Sequence, residues 1–321
     1  EKMPLKIRAC HLEQMRRHAD HVYYFKNEEE LLASGADAEV LFVDAITVVS
    51  AALMEHMPCL RLIHSEGVAF DRIDLSAARE RGIYVCNNKG CNAGAVAEQT
   101  VLLILMLLRH ALEGDEAVRA GRQMEMKERC MVEGITELSA CKVGLVGFGD
   151  IARAAAERLV PFGCELYYYT KHRRLPEEEK KYHVTYLPLE ELAEKSDIVS
   201  LHCAVTEETR NLVDAALLRR MKPTAYLINT ARGDLVDNEA LRQALLEGRI
   251  AGAGLDTLSP EPVPAGHPLT ALPPEVQRKV VLAPHLGGIT EASFRRAHAH
   301  MWRNVEHLAA GERPDNIVNG L

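Results

Sequence analysis

The sequence has no excess of positive charge and no long apolar run. Its 38 Lys and Arg residues are outnumbered by 46 Asp and Glu residues, which leaves a formal net charge of −8. Nucleic-acid binders need a basic surface to neutralise phosphates, and anionic membranes attract basic segments. The longest apolar run, residues 101–108, is too short to cross a bilayer. We therefore predict neither a nucleic-acid partner nor a membrane partner.

Cysteine motifs are missing as well. The eight cysteines are scattered, and no two of them have the Cys-x-x-Cys spacing of zinc knuckles and redox pairs. Disulfide frameworks are typical of short secreted chains, and residues 1–11 lack the apolar stretch of a signal peptide. We therefore expect reduced thiols in a cytoplasmic protein. We predict no metal site, because the fourteen histidines show no convincing paired spacing with carboxylates.

The chain has the length and composition of a two-domain globular protein. Of its 321 residues, 47% are hydrophobic and 26% are charged, which is enough apolar material for a full core. Short apolar segments alternate with helical patterns, and this alternation indicates βαβ units and parallel sheets. The predicted strands cover residues 5–8, 40–43, 60–63, 84–86, 143–146, 166–169, 198–201, 225–228, 251–255 and 280–282.

Capping residues mark several predicted helices. Asn27 and Asp74 precede two of them, and Asp237 begins a third that ends near Gly248. Residues 93–109 are apolar on nearly all sides, which predicts a mostly buried helix that acts as a hinge between two domains. Residues 113–140 are polar and weakly periodic, which predicts a surface connection. Two further helices are predicted at residues 151–160 and 291–310.

Gly147 and Gly149 belong to a candidate dinucleotide-binding motif. The run Gly-Phe-Gly-Asp-Ile-Ala follows a predicted strand and opens a predicted helix, as the dinucleotide fingerprint requires. The first glycine permits a tight turn, and the second lets the backbone approach a pyrophosphate. Asp150 and Ile151 then begin a helix whose free N–H groups would face the phosphates. An ordinary βα turn is the alternative, and Ala152 stands where a third glycine would be.

The turn after the next predicted strand favours NADP(H) over NAD(H). An NAD site places Asp or Glu at this position to bind the ribose 2′-OH. Here Thr170, Lys171, His172 and Arg173 provide a hydroxyl and basic groups without a carboxylate. A dianionic 2′-phosphate suits such a turn. A solvated basic turn is the alternative interpretation, so NADP is the preferred cofactor and NAD the second choice.

Arg232, Glu261 and His285 each follow a different predicted strand of the same sheet. Ligands of open parallel sheets bind outside the carboxyl ends of the strands, so these three side chains are expected to converge. Taken singly, each has a plainer interpretation. Arg232 would form a surface ion pair, His285 would be a turn residue, and Glu261 would lie in an exposed loop. Only their combination indicates chemistry.

The order of these motifs resembles the D-isomer-specific 2-hydroxyacid dehydrogenases, a family that includes glyoxylate/hydroxypyruvate reductases and 3-phosphoglycerate dehydrogenases. The similarity covers nearly the whole chain. Besides the Gly147 motif, it rests on residues 67–74, 95–98, 221–223, 229–233, 252–256, 261–262 and 284–285. The resemblance implies an α/β fold of two doubly wound parallel-sheet domains. A Rossmann cofactor domain (93–290) would be inserted into a flavodoxin-like substrate domain (1–92 and 291–321).

The resemblance also implies an NAD(P)-dependent oxidoreductase that transfers a hydride between a nicotinamide and a small 2-oxo acid or D-2-hydroxy acid. His285 would be the acid/base, and Glu261 would hold its imidazole. Arg232 would bind the 2-oxo acid and polarise its carbonyl. Backbone N–H groups at Gly67 and Val68 would hold the substrate carboxylate, and His285 would touch both substrate and cofactor.

Further cofactor contacts follow from the same resemblance. Asp256 would hydrogen-bond the nicotinamide carboxamide, and Thr230 and Gly287 would line the ring. The other implied cofactor contacts are Cys203, Thr209, Ala231 and Gly288. Relatives of this kind are generally homodimers joined through the cofactor domain. The apolar segment 101–108 fits such an interface, and it fits equally a helix buried within one subunit.

Two other functions are compatible with the resemblance. A corepressor-like protein would keep the fold, use the dinucleotide as an association signal and bind peptide in a surface groove. A different family relative would oxidise an unusual acid such as phosphite. The complete set of Arg232, Glu261 and His285 favours the 2-oxo acid reductase. Ala69 and Lys89 depart from the Gly and Pro that the family often has, but neither change removes a catalytic group.

Overall fold

Every pair of named strands in the structure is parallel, as the alternation of strand and helix patterns predicted. The structure is a computed structural model that describes residues 5–44 and 47–321. The chain divides into two units. Unit 1 consists of Glu1–Asn92 and Ile289–Leu321, and unit 2 is Ala93–Gly288. The two-domain α/β fold class is confirmed.

The strands and helices are numbered in chain order. The strands are β1 (Val40–Val43), β2 (Leu62–Ser65), β3 (Tyr84–Cys86), β4 (Lys142–Val146), β5 (Glu165–Tyr169), β6 (Val184–Tyr186), β7 (Ile198–Leu201), β8 (Tyr226–Asn229), β9 (Gly252–Leu255) and β10 (Val280–Leu282). The α-helices are α1 (Leu5–His18), α2 (Glu28–Ser34), α3 (Ala51–Glu55), α4 (Leu75–Glu80), α5 (Ala93–Leu108), α6 (Ala111–Arg119), α7 (Gln123–Glu133), α8 (Asp150–Leu159), α9 (Pro176–Tyr182), α10 (Leu189–Lys195), α11 (Ala215–Arg220), α12 (Asn238–Leu246), α13 (Pro274–Gln277) and α14 (Glu291–Ala309).

Unit 1 contains a three-stranded sheet in the order β1-β2-β3. All four residues of the central strand β2 are buried, because it has a neighbour on each side. The predicted caps are confirmed. Asn27 accepts a hydrogen bond from the Glu30 N–H at the start of α2, and Asp74 does the same for Ala77 in α4. These caps satisfy N–H groups that have no partner within the helix.

The prediction of a strand at residues 5–8 is wrong, because these residues begin the helix α1. A four-residue apolar alternation cannot distinguish a strand from the start of a helix. The residues that follow are strong helix formers such as Leu, Glu, Gln, Met and Arg, and they favour continuation of the helix. The strand predicted at residues 60–63 is present but lies two residues later, as β2.

Unit 2 contains a seven-stranded parallel sheet in the order β10-β9-β8-β7-β4-β5-β6. The chain starts in the middle at β4, adds β5 and β6 on one side, and then returns to add β7 to β10 on the other. This order is that of a doubly wound dinucleotide-binding sheet, with its switch point between β4 and β7. Ligands of such sheets bind at the carboxyl ends beside the switch point.

Helix α5 packs against the β8 and β9 region of this sheet, as its apolar sequence predicted. A Cβ atom on Gly254 of β9 would lie only 3.0 Å from the Leu103 side chain, so the helix and the strand are in close contact. Nine of the sixteen residues of α5 are buried, whereas Leu102 is 48% exposed. No single helix in the described parts of the chain is long and apolar enough to cross a bilayer, although α5 and α6 pass that test together across a 57° bend.

The segment predicted as a surface connection, residues 113–140, contains most of α6 and all of α7. Its sequence is polar because α7 has no buried residue in the single chain. A helix without a buried face gives only a weak hydrophobic periodicity, which is why the pattern indicated a surface connection without indicating its helices. Two of its apolar side chains, Met131 and Val132, are 74% and 88% exposed.

Candidate active site

The three strands that precede Arg232, Glu261 and His285 are neighbours in the sheet of unit 2. β9 pairs with β8 on one side and with β10 on the other. The register places Asn229, Leu255 and Leu282 side by side at the carboxyl ends of the three strands. The loops that follow therefore leave the sheet from one edge, as the sequence predicted.

Backbone contacts join these loops to one another. The Asp256 N–H donates to the Asn229 carbonyl at 2.9 Å, and the His285 N–H donates to the Asp256 carbonyl at 2.8 Å. A Cβ atom on Gly233 would lie 2.1 Å from the carbonyl carbon of Leu258, a distance that no side chain can occupy. The residue after Arg232 is thus glycine because its loop rests on the backbone of the next loop.

His285 and Glu261 form the central polar pair. His285 Nδ1 lies 2.9 Å from Glu261 Oε2, and the two side chains are 44% and 40% exposed. With the Nδ1 proton shared with the carboxylate, the ring orientation is fixed and Nε2 points elsewhere. Nε2 has no hydrogen-bond partner among the described residues. His285 also has a left-handed backbone, with φ at +57°, which is uncommon outside glycine.

Arg232 carries an unpaired positive charge at the same edge. Its Nη1 donates to the Ala231 carbonyl at 2.7 Å, and within the described residues it faces no carboxylate at ion-pair distance. The loop that carries Arg232 is fixed by the side chain of Asn229, the last residue of β8, which is 1% exposed. Its amide donates to the Arg232 carbonyl and accepts from the Ala231 N–H. Our sequence analysis gave no role to Asn229, although Asn after a strand is a residue that often folds back on its own turn.

Asp256 is a buried carboxylate that is held by three donors. Its Oδ1 accepts from the Leu286 N–H at 2.9 Å and from the Gln99 amide at 3.3 Å, and its Oδ2 accepts from the Gly287 N–H at 2.8 Å. A carboxylate oxygen has two lone pairs, so Oδ2 retains one acceptor position. Gln99 lies on α5 and was missed by the sequence analysis, because α5 was interpreted only as an apolar hinge helix.

A second contact from α5 reaches Thr230. The hydroxyls of Thr230 and Thr100 are 2.9 Å apart, and both side chains are buried. Thr100 also bonds to the Val96 carbonyl within its own helix. Helix α5 therefore supports two of the residues predicted to line a nicotinamide, through side chains that the sequence gave no reason to select.

The Gly147 loop fits a dinucleotide pyrophosphate. Gly147 has φ at +94°, and a Cβ atom there would lie 2.7 Å from the backbone of His202. Gly149 precedes α8, and a Cβ there would meet only open space. No side chain caps α8, so its first N–H groups are available to an anion. Ala152, which replaces the third glycine, is fully buried against the sheet.

The basic turn after β5 has carboxylates beside it. Lys171 Nζ lies 2.8 Å from Glu208, and Arg173 donates two bonds to Glu179 at 2.8 and 2.9 Å. These ion pairs stabilise the charged forms of their members. The hydrogen bond to Glu208 raises the pKa of Lys171, and the hydrogen bond from Arg173 lowers the pKa of Glu179. The turn itself contains no carboxylate, as the sequence analysis noted, but both cations pair with carboxylates from outside it. The sequence concealed the pairs because Glu179 comes from α9 and Glu208 from the loop after β7.

The segment after β7 lies beside the Gly147 loop, because a Cβ atom on Gly147 would be 2.8 Å from the Cys203 N atom. The Cys203 thiol is largely buried, and this burial raises its pKa to about 11. Thr209 donates to the Ala204 carbonyl at 2.7 Å and so closes this loop. The remaining predicted cofactor residues lie in the same group of loops: Asp150 and Ile151 in the first turn of α8, Thr170 and His172 after β5, Ala231 after β8, and Gly288 after β10.

Gly67 and Val68 lie in unit 1, in the loop that follows β2. The Gly67 N–H donates to the Ser65 hydroxyl at 3.2 Å. Two amide residues hold the loop. Asn87 donates to the Val68 carbonyl at 2.7 Å, and the Asn88 N–H donates to the Gly67 carbonyl at 2.9 Å. The sequence did not reveal this support, because the contacts join segments twenty residues apart.

The comparisons with known proteins agree with this geometry. Residues 101–287 match the family model described as D-isomer specific 2-hydroxyacid dehydrogenase, NAD binding domain. The chain is 41% identical to a glyoxylate reductase of Thermofilum pendens, over 91% of this chain and 85% of that protein. It also superimposes on D-lactate dehydrogenase of Aquifex aeolicus complexed with NAD and lactic acid, with a TM-score of 0.82 and 27% identity, over 99% and 98% of the two chains.

A second solved structure is that of an acyclic imino acid reductase in complex with NADPH and D-Arg. Its TM-score is 0.83 at 27% identity, over 98% of this chain and 97% of that one. The protein is therefore an α/β oxidoreductase with a site for a nicotinamide dinucleotide. It belongs to the D-isomer-specific 2-hydroxyacid dehydrogenase family.

Proposed function

We propose that this protein reduces small 2-oxo acids of the glyoxylate and hydroxypyruvate type to D-2-hydroxy acids. The observation that supports this most is the His285–Glu261 pair at 2.9 Å, with Nε2 of the histidine unpartnered. The pair lies at the sheet edge that also carries the unpaired Arg232 guanidinium. An acid/base and an anion-binding group at one edge are what reduction of a 2-oxo acid requires.

The cofactor residues act by binding and orientation. When bound, the reduced nicotinamide supplies the hydride that reaches the substrate carbonyl carbon. The backbone at Gly147 and Gly149 and the first turn of α8 hold the pyrophosphate. The acceptor position left on Asp256 Oδ2 binds the carboxamide N–H, and Thr230 and Gly287 line the ring. Gln99 and Thr100 keep these groups in position from α5.

The substrate residues act on the 2-oxo acid itself. Arg232 binds the carboxylate and the carbonyl oxygen with a two-pronged contact and draws charge toward that oxygen. The protonated His285 donates the Nε2 proton to the oxygen as the alcohol forms, while Glu261 holds the ring through Nδ1.

A substrate panel tests this proposal. The purified protein is mixed with NADPH and in turn with glyoxylate, hydroxypyruvate and bulkier 2-oxo acids, and the loss of NADPH absorbance is recorded. We expect turnover with the small acids. With hydroxypyruvate the product should be D-configured on chiral chromatography, whereas glycolate, the product from glyoxylate, has no stereocentre. A protein that binds NADPH but reduces none of the acids would contradict the proposal. Turnover of phosphite with NADP⁺ alone would identify a different reaction for the same site.

We infer that the protein prefers NADPH to NADH. The turn Thr170–Arg173 provides a hydroxyl and basic groups, and the ion pairs with Glu208 and Glu179 hold two of the cations beside the end of β5. Changing both Lys171→Ala and Arg173→Ala is expected to raise the KM for NADPH severalfold, because it removes the two cations that would bind the 2′-phosphate. The KM for NADH should change little.

The matched control for this prediction is Lys142→Ala. Lys142 is also an exposed lysine paired with a glutamate, but it lies at the amino end of the sheet, opposite to the cofactor. Initial-rate measurements with both cofactors give the two KM values. A wild-type protein that uses NADH more efficiently than NADPH would overturn the preference.

We also infer a homodimer, joined through α6 and α7 of unit 2. In the single chain α7 buries no residue, although a helix in a protein takes most of its stability from the packing of one face. The family resemblance implies a homodimer joined through the cofactor domain, so we infer that a second copy covers this face. The apolar residues exposed in this segment are Leu112, Val118, Met124, Met131, Val132 and Ile135.

Introducing negative charges into the exposed apolar surface of α7 tests the dimer. The double variant Met131→Glu, Val132→Glu is expected to shift the protein from dimer to monomer in sedimentation velocity, because it places two charges in the interface. The control is Leu175→Glu, which changes an apolar side chain that is 71% exposed elsewhere in unit 2. An unchanged sedimentation coefficient for the double variant would exclude α7 from the interface.

A further inference from the structure

Unit 1 brings two histidines and a glutamate together outside the proposed active-site residues. His11 comes from α1, Glu66 follows β2, and His298 comes from α14. One potential ligand atom of each residue lies within 4.8 Å of the others. The two imidazole rings are stacked with their centroids 3.9 Å apart. Three elements that are remote in sequence thus place three metal-ligand types at one point.

His298 is a buried polar side chain without a partner. It is only 4% exposed, its Nδ1 is completely enclosed, and within the described residues neither ring nitrogen makes a hydrogen bond. An unsatisfied buried polar group costs about 1–3 kcal/mol. His11, also 4% exposed, accepts at Nδ1 from the Trp302 indole at 3.3 Å, which leaves its Nε2 as the free nitrogen. An ion at the edge of the two rings, in whose planes the nitrogen lone pairs lie, would satisfy both imidazoles.

We propose that His11, Glu66 and His298 bind a divalent transition-metal ion, with Zn²⁺ as the preferred ion. Two imidazoles and a carboxylate with one position left for water form a familiar set of zinc ligands. Imidazole nitrogens select Zn²⁺ and its transition-metal neighbours over Mg²⁺ and Ca²⁺, which prefer oxygen ligands. Glu66 is exposed, so an ion can reach the two buried rings from solvent along its side chain.

The electrostatics of the site are compatible with a cation. Burial disfavours the protonated form of both rings, because loss of water lowers the pKa of His298 and that of His11. The pKa of the Glu66 carboxyl is raised mainly by its partial burial and, to a smaller extent, by the negative charge of Asp44. A bound cation would offset both effects on Glu66, because it replaces the lost water and balances the negative charge.

The single tryptophan of the chain provides a direct readout. Trp302 contacts His11 with ring centroids 5.9 Å apart and hydrogen-bonds it, so a metal on the far side of His11 changes the environment of the indole. The protein is treated with a chelator, dialysed and titrated with Zn²⁺ while tryptophan fluorescence is recorded. Equilibrium dialysis with metal analysis gives the stoichiometry, for which we expect one Zn²⁺ per chain in this site. Mg²⁺ at the same concentrations is expected to give no change.

Two ligand variants test the assignment. His298→Phe keeps a flat ring against His11 but has no nitrogen, and Glu66→Gln keeps the size of the side chain while removing its charge. Each is expected to weaken Zn²⁺ binding by at least the 10–100-fold that loss of an outer partner costs a metal site. The control is His18→Phe. His18 also stacks on Trp302, at 5.5 Å, but it is not one of the three ligands.

The outcomes decide the proposal without reference to enzymatic activity. A fluorescence change and one bound Zn²⁺ that persist in His18→Phe and are lost in both ligand variants support the site. Binding that survives in His298→Phe, or Zn²⁺ bound without any change at Trp302, would overturn it. Thermal unfolding of each variant without metal establishes that it is folded, and Zn²⁺ should raise the Tm of the wild type but not of folded His298→Phe.

Discussion

Replacing His285 by alanine is expected to lower kcat by about 10²–10⁴-fold, the usual effect of losing a general acid. The affinity for NADPH should remain nearly unchanged, because the pyrophosphate and ribose contacts lie on the other loops of unit 2. The KM for glyoxylate should change less than kcat, since Arg232 still binds the carboxylate. Stopped-flow and steady-state rates, together with NADPH fluorescence titration, separate these quantities.

The backbone of His285 requires a careful choice of variants. Its φ of +57° is a left-handed conformation that alanine adopts less readily than histidine or asparagine. His285→Asn therefore tolerates the same backbone but cannot donate the proton, and it should lose as much activity as His285→Ala. His183, which has φ at +52° in the turn after α9, provides the control, because His183→Ala introduces the same strain outside the site. An unchanged kcat in His285→Asn would remove the residue from the mechanism.

Most of unit 2 could be predicted from the sequence because its signals are local. The strands β4, β5 and β7 to β10 are short apolar runs, and each is buried in a parallel sheet. Helix α12 lies between its cap Asp237 and Gly248, as predicted. The short elements β6, α10 and α11 were not predicted. Segments of three to seven residues provide too few positions to establish a period.

The candidate site was predictable only in part. The combination of Arg232, Glu261 and His285 indicated chemistry, and the family resemblance of the whole set of motifs implied an oxidoreductase. The parallel sheet explains why strand ends so far apart in sequence are neighbours. Supporting residues were not predictable, because their role depends on packing. Gln99 was hidden in an apolar helix, and the carboxylates that pair with Lys171 and Arg173 come from other elements.

The cluster of His11, Glu66 and His298 was also not predictable from the sequence. Metal ligands are recognised in a sequence by short, regular spacing, and these three residues are separated by most of the chain. The sequence placed residues 5–8 in a strand, whereas α1 is a helix that carries His11 to the side of α14. An error in one local element therefore concealed a contact between distant segments.

Replacing Arg232 by alanine is expected to lower kcat/KM for glyoxylate by about 10–150-fold. This range corresponds to the roughly 1.5–3 kcal/mol contributed by a hydrogen bond to a charged group. The loss should appear in both KM and kcat, because the guanidinium binds the carboxylate in the ground state and polarises the carbonyl in the transition state. The loop should keep its shape, since Asn229 holds it through backbone groups that the substitution does not alter.

Arg232→Lys distinguishes charge from geometry. Lysine restores a positive charge but not the two-pronged contact, so it should recover only part of the lost kcat/KM. Arg220→Ala is the control. Arg220 is an exposed arginine that pairs with Glu194, and it ends α11 before β8 begins, at the end of the strand opposite to the loops.

A neutral 2-oxo amide, compared with the corresponding acid, provides the decisive measurement. The wild type should strongly prefer the acid, whereas Arg232→Ala should discriminate little. If Arg232→Ala retained the full preference for the acid, the carboxylate would have to be bound by other groups, and Arg232 would lose its proposed role in substrate binding.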